Sequence, residues 1–281
     1  MNGNEKRKYL RESQRVNSRF ERKYSPIIQK ALDKTVSSLI GTVRERGLRI
    51  AINDLQMTLI NEHLASPLMR LLREVGLYHA KVNYRFIRAE IAQKRFGVNE
   101  MWLQDIMNIL RDTLLRLSIV KVTETLRDHL LLMFEKAIRD GLSEDEFIEL
   151  IKGDTFTRSQ AQRIVRTETN RATNAGRKVV ADFFEYEMVK EWVSFQDFRT
   201  RGRNPKDKKD HYHMNGQTVN LEDKFKDPKT GETIDFPSAP GASAAMVINC
   251  RCQMVTVPKR DENGRLIKKP TAMRMQGVPL G

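Results

Sequence analysis

Lys190-Glu191-Trp192-Val193-Ser194-Phe195 is where the chain changes period. Before it, apolar residues recur every three or four positions, the mark of helix; here aromatic and β-branched residues crowd a short run, the mark of a strand. The stretch continues through Asp197-Phe198-Arg199-Thr200-Arg201 and His211-Tyr212-His213-Met214-Asn215-Gly216. It closes on Asn249-Cys250-Arg251-Cys252. Both cysteines, two of the five histidines and one of the two tryptophans lie between Trp192 and Cys252. Asp227-Pro228-Lys229-Thr230-Gly231 reads as a turn and Thr233-Ile234-Asp235-Phe236 as a strand after it. Met246-Val247-Ile248 and Gln253-Met254-Val255-Thr256-Val257 read as strands on either side of Asn249-Cys250-Arg251-Cys252.

Upstream, the periodicity predicts helices. Leu48, Ile52, Leu55 and Leu59 form one stripe, and Leu68, Leu71, Leu72 and Val75 another. Ser66-Pro67 reads as a restart between them, with Ser as cap and Pro at the first helical position. Gly97 predicts a break and Asn99 the next cap. A long helix then carries Ile106, Ile109, Leu110, Leu114, Leu117, Val120, Leu130, Met133, Phe134 and Ile138 as core. Gly141 ends it, and Ser143 with Glu146 forms a capping box. The expectation is an α+β chain. It comprises a basic arm (1–26), a mostly helical region of five or six helices (27–186), a small loop-rich β unit (187–258) and a basic tail (259–281).

Bulk properties narrow the function classes. No apolar run approaches the roughly 20 residues of a membrane span, and the start lacks the apolar core of a signal peptide. Two cysteines make no disulfide framework, so a reducing compartment is expected. The net charge of +14 favours a polyanionic neighbour. It is concentrated: residues 1–25 hold eight Lys or Arg against three Glu, and residues 199–209 six against one Asp. Within the second cluster Arg199, Arg201, Arg203, Lys206, Lys208 and Lys209 are candidate phosphate contacts. The helix from Thr157 adds Arg163, Arg166, Arg171, Arg177 and Lys178. These read either as a solvated face with weak ion pairs, as contacts to an acidic partner or a DNA backbone, or, for Arg166 and Glu168, as a buried tie to the β unit.

Three chemistries are open in the signature stretch. Cys250-x-Cys252 with His211 and His213 has the ligand types of a zinc site, which would clip a unit too loop-rich to build much core. The plainer alternative is two buried, reduced cysteines and two surface histidines. Asp210-His211 with Asn215 and Asn220 has the residue types of a metal-dependent nuclease of His-Asn-His type, a general base beside a cation-holding group. Its strand–helix context is not evident. Nucleotide-binding loops, nucleophile elbows and paired-carboxylate arrays are absent, so the residues by themselves argue for no reaction.

Ala161-x-x-Ile164-Val165-Arg166-Thr167-Glu168-Thr169-x-x-Ala172-x-Asn174-x-Gly176 resembles the signature helix of phage head morphogenesis proteins, the Mu F-like minor capsid family. The rest follows in that family's order: Lys190-x-Trp192, Asp197-x-Arg199-x-Arg201, His211-x-x-Met214-Asn215-Gly216 and Asn249-Cys250-Arg251-Cys252. The likeness covers roughly residues 130–257. It implies Arg166, Glu168, Trp192, Asp197, Arg199, Arg201, His211, Gly216, Asn249, Cys250 and Cys252 as the family's motif positions. It also implies a non-enzymatic minor head protein of a tailed bacteriophage. Such a protein is made in the host cytoplasm, joins the portal protein and the scaffold or major capsid proteins during assembly, and ends inside the virion. There it lies near the portal and the packaged double-stranded DNA, with a role in DNA ejection. Many relatives carry His-Pro just before the Asn-Cys-x-Cys; here Val247 and Ile248 stand there, which takes one candidate ligand away. No appended toxin or transferase domain is expected.

Overall fold

A computed structural model of the chain describes residues 3–47, 57–91, 108, 116–153 and 156–270. Among the described residues six helices and two small antiparallel sheets make an α+β architecture with the helices mostly first. The long helices are α1 (Gly3–Arg46), α2 (Met57–Ile91), α3 (Arg116–Asp140), α4 (Glu144–Gly153) and α5 (Phe156–Asp182). The sheet strands are β1 (Met188–Val193), β2 (Thr218–Asn220), β3 (Phe225–Lys226), β4 (Thr233–Ile234) and β5 (Gln253–Pro258), with a short helix α6 (Ala244–Val247) before β5. No described helix is long and apolar enough to cross a membrane.

α1, α2 and α5 pack on one another, with α3 and α4 at the flank. Tyr24, Ile28 and Leu32 of α1 meet Leu64, Leu68, Leu71, Leu72 and Val75 of α2 and Ile164, Val165, Ala172 and Val180 of α5, all buried. α2 and α5 approach to backbone contact: a Cβ added at Gly176 would sit 2.4 Å from the carbonyl oxygen of Gly76. Phe134 of α3 stacks on Phe147 of α4, ring centroids 4.6 Å apart. The turn between them is the expected capping box, with Ser143 N–H donating to Glu146 Oε2 at 2.8 Å and Glu146 N–H to Ser143 Oγ at 3.3 Å.

The larger sheet has the order β2-β1-β5, with Trp192 opposite Met254 and Val189 opposite Asn220. β5 lies on α5 and α2, so the sheet and the helices share one apolar core. Among the described residues no strand lies beside the outer edge of β5. Instead Asn174 Oδ1 accepts from Met254 N–H at 2.8 Å, and Asn170 Nδ2 donates to the Cys252 carbonyl at 3.1 Å. Two mid-helix asparagines thus satisfy groups that a neighbouring strand would otherwise take.

Several local expectations change. Met246 and Val247 lie in helix α6, not in a strand, and Ile248 is its extended C-cap. Since α5 already occupies the edge of β5, a strand there would have no ladder to join. Ser66-Pro67 does not restart a helix: Pro67 lies inside α2, and the expected boundary at residue 26 likewise falls inside α1, which runs through Pro26. Proline removes one backbone bond, but apolar residues buried on both sides, such as Tyr24 and Ile28, or Leu64 and Leu68, hold each helix against its neighbours. Ile138 is 66% exposed although its stripe partners Leu130 and Phe134 are core. Leu48, Ile52, Leu55, Gly97, Asn99, Ile106, Ile109, Leu110 and Leu114 lie outside the described residues. Part of the tail returns to the fold, where Glu187 N–H donates to the Ile267 carbonyl and Lys269 N–H to that of Glu185, each at 2.8 Å.

Candidate functional site

The sequence motifs, spread from Ala161 to Cys252, meet where α5 crosses the end of β5. Asn249 occupies the left-handed region at φ 55°, a conformation Asn tolerates better than most residues. Its N–H donates to Thr167 Oγ1 at 3.1 Å, fixing the entry to Cys250. Asn170 and Asn174 fix the exit, together holding the Cys252 and Pro237 carbonyls and the Met254 amide. The loop after β1 closes over the top. Asp197 takes both terminal nitrogens of Arg251, at 2.5 and 2.8 Å, and Arg201 donates to the Ile248 carbonyl. The Arg251 fork holds the Asp197 carboxyl at about 2, and bonds from Thr200 and the Arg199 amide add to that effect against burial.

At the centre lie His211, Cys250 and Cys252, all buried. His211 Nδ1 stands 3.6 Å from Cys250 Sγ and 3.6 Å from Cys252 Sγ. The other ring nitrogen, Nε2, lies 3.2 Å from Met246 Sδ. Trp192 packs edge-on to the imidazole, with centroids 5.3 Å apart. Burial and the neighbouring Cys250 sulfur push the Cys252 thiol up. For Cys250 burial acts the same way, but the Cys252 hydrogen bond and the neighbouring His211 and Arg201 outweigh it and bring the thiol well below its usual range. Among the described residues these three side chains form the group placed to hold a metal ion, their donor atoms within 4.8 Å of one another.

His213, expected as a fourth ligand, is turned out to solvent, where its Nδ1 pairs with Asp210 at 2.7 Å. The residues of the nuclease-type reading do not converge either. His211 faces the sulfurs, Asn215 Oδ1 accepts from Ser194 N–H, and Asn220 donates to Asp223. Of the other motif positions, Trp192 is core. Gly216 supplies a turn at φ 85° and pairs its N–H with the Trp192 carbonyl. Glu168 is buried against Arg171 at 2.5 Å, while Arg166 lies on the surface near Glu21. The buried tie to the β unit is thus made by Arg171, whose Nε donates to the Ser238 carbonyl, and not by Arg166.

The basic loop also divides. Lys209 is buried and paired with Glu232, and Arg201 is committed to Ile248. Arg199 and Arg203 lie over the rings of Phe198 and Tyr212 on the exposed side, and Lys206 and Lys208 are exposed. On α5, Arg177 is fully buried, donating to Gln253 Oε1, the Met254 carbonyl and Ser13 Oγ, and Lys178 pairs with Asp235. Asn170, Arg171 and Arg177 were not legible as tying residues. The signal that was present is their type: three polar side chains on a helix that also needs a buried face. Arg7, Lys8, Arg11 and Arg15 of α1, with Asn4 and Glu12, line a shallow open groove.

Residues 128–255 match the family described as Phage Mu protein F like protein. No curated protein and no solved structure matches the chain. The matched residues take in α5, most of the larger sheet and every motif that converges on His211, Cys250 and Cys252, and in this part the chain is similar to Mu F-like head morphogenesis proteins.

Proposed function

We propose that the chain is a minor head protein that joins the portal during assembly and lies inside the head against packaged double-stranded DNA. The observation that carries the DNA part is the outer face of α1. Arg7, Arg11, Arg15, Arg19 and Arg22 recur at spacings of four and three and are all exposed. Lys6 and Lys23 of α1 pair with Glu191 and Glu74, and Glu21 lies near Arg166 and Arg22, while the guanidinium row itself stays exposed. From Arg7 to Arg22 the row runs about 22 Å at 1.5 Å per residue. Along that length a duplex presents one phosphate charge about every 1.7 Å. The row carries no base-reading geometry, which suits sequence-independent binding. The portal part rests on the family likeness.

Duplex binding measured by fluorescence anisotropy across salt concentrations tests the first part. Four or five arginine contacts predict a slope of about −4 in log K against log salt, and Arg7→Glu with Arg11→Glu and Arg15→Glu should flatten it by about 3. Binding unchanged in that variant would remove α1 as the DNA surface. Co-expression with the cognate portal protein and sizing of the complex tests the second part, and separate elution of the two proteins would count against it. The same preparations decide on nuclease chemistry. Cleavage that needs a divalent ion and disappears in His211→Ala would replace the structural role with an enzymatic one.

A further inference from the structure

We propose that His211 Nδ1, Cys250 Sγ and Cys252 Sγ bind one zinc ion with solvent at the fourth position, and that the ion staples the loop after β1 to the β5 edge. A tetrahedral ion with bonds of about 2.3 Å to sulfur and about 2.05 Å to nitrogen separates N and S donors by about 3.6 Å. Both N–S separations here are 3.6 Å. The donors have the right softness, two thiolates and an imidazole, and neutralise the ion between them.

The surroundings orient these donors as ligands. A proton on Nε2 of His211 points at Met246 Sδ, 3.2 Å away, which leaves the Nδ1 lone pair directed at the two sulfurs. Trp192 Nε1–H is buried without a well-formed hydrogen bond, and its ring abuts His211. An indole N–H beside a thiolate site is the kind of outer contact that tunes bound sulfur. Two neutral thiols and a neutral imidazole would leave this polar pocket weakly satisfied, with sulfur as its main acceptor. Zinc binding releases the thiol protons to solvent as the two S–Zn bonds form, with no change in oxidation state. The ion would join segments 39 and 41 residues apart in sequence. This inference does not depend on the DNA or portal readings.

The test is metal content of the full chain purified under reducing conditions from zinc-supplemented medium. About one zinc per chain is expected from a three-donor site. After chelation, added cobalt(II) should give the intense visible absorption of a four-coordinate thiolate site. Cys250→Ser and His211→Ala should each lose stoichiometric metal. His213→Ala should keep it, because His213 is on the surface with Asp210. Loss of zinc in His213→Ala would overturn the three-donor set. A wild-type chain without zinc that also fails to develop the cobalt absorption would overturn the proposal outright, and this arm needs no variant to fold.

Discussion

Asp197 ties the loop after β1 to Arg251, and its carboxyl titrates in a range where it can be followed. Its folded carboxyl is depressed from 3.8 to about 2, chiefly by the hydrogen bonds from Arg251. A depressed carboxyl contributes stability that is fully present above the unfolded value and lost as pH falls through the folded one. The contribution should therefore hold above pH 4 and fade between pH 4 and 2. Glu232, lowered from 4.5 to about 2 by Lys209 and the Ser243 amide acting against burial, fades over a window that begins slightly higher. Asp197→Asn should lower the unfolding midpoint at pH 6 yet narrow its gap to the wild type by pH 2. A gap that stays constant with pH would show that Asp197 acts by shape alone. Residue types were legible here without their pairings. Asp197, Arg199 and Arg201 share one run of sequence, yet the first binds Arg251, the second lies over Phe198, and the third reaches Ile248. His211 and His213, two positions apart, point one into the core and the other to water, because the turn that carries them rotates successive side chains apart.

Among the elements, α5 organises the molecule, and one glycine sets how closely α2 can lie against it. In an exposed helix Gly→Ala gains roughly 1 kcal/mol. At Gly176 the new methyl would lie 2.4 Å from the Gly76 carbonyl oxygen and 3.1 Å from its carbon. Both are backbone atoms, so no rotamer can relieve the contact, and overpacking of this kind costs about 1–3 kcal/mol or more. The clash should win: Gly176→Ala is expected to destabilise by about 2 kcal/mol in urea unfolding, and any stabilisation would mean α2 and α5 do not pack this closely. The α2 stripe of Leu68, Leu71, Leu72 and Val75 was legible because apolar spacing reports burial directly. The α6 turn was not, since Met246-Val247-Ile248 has strand composition and only the occupancy of the β5 edge by Asn170 and Asn174 denies it a strand. Pro67 misled for a related reason. A proline signals a boundary locally, whereas Leu64, Leu68, Leu71 and Leu72 keep the helix whole through long-range packing.

For the whole molecule, the helices and the β unit read in sequence as two regions, yet they are built around a continuous core. One cluster of buried residues runs from Tyr24 and Leu32 through Val165 and Ala172 to Trp192, Phe225 and Met254. Polar ties follow the same path. Arg177 links Ser13 of α1 to Gln253 of β5, and Asn83 of α2 donates to Thr256 of β5 at 2.8 Å. A boundary crossed by this much buried surface should not separate on heating, because neither part could keep its apolar face covered without the other. Helix loss followed by far-UV circular dichroism and Trp192 emission should then give the same midpoint, with Trp102→Phe used so that emission reports the β unit alone. If the proposed zinc binds at His211, Cys250 and Cys252, its removal should lower both midpoints together. Two transitions several degrees apart, with emission changing first, would mean that the β unit opens while α1, α2 and α5 stay folded. The network through Arg177 would then be a hinge between two parts, and the motif residues that meet at His211 would serve the β unit alone.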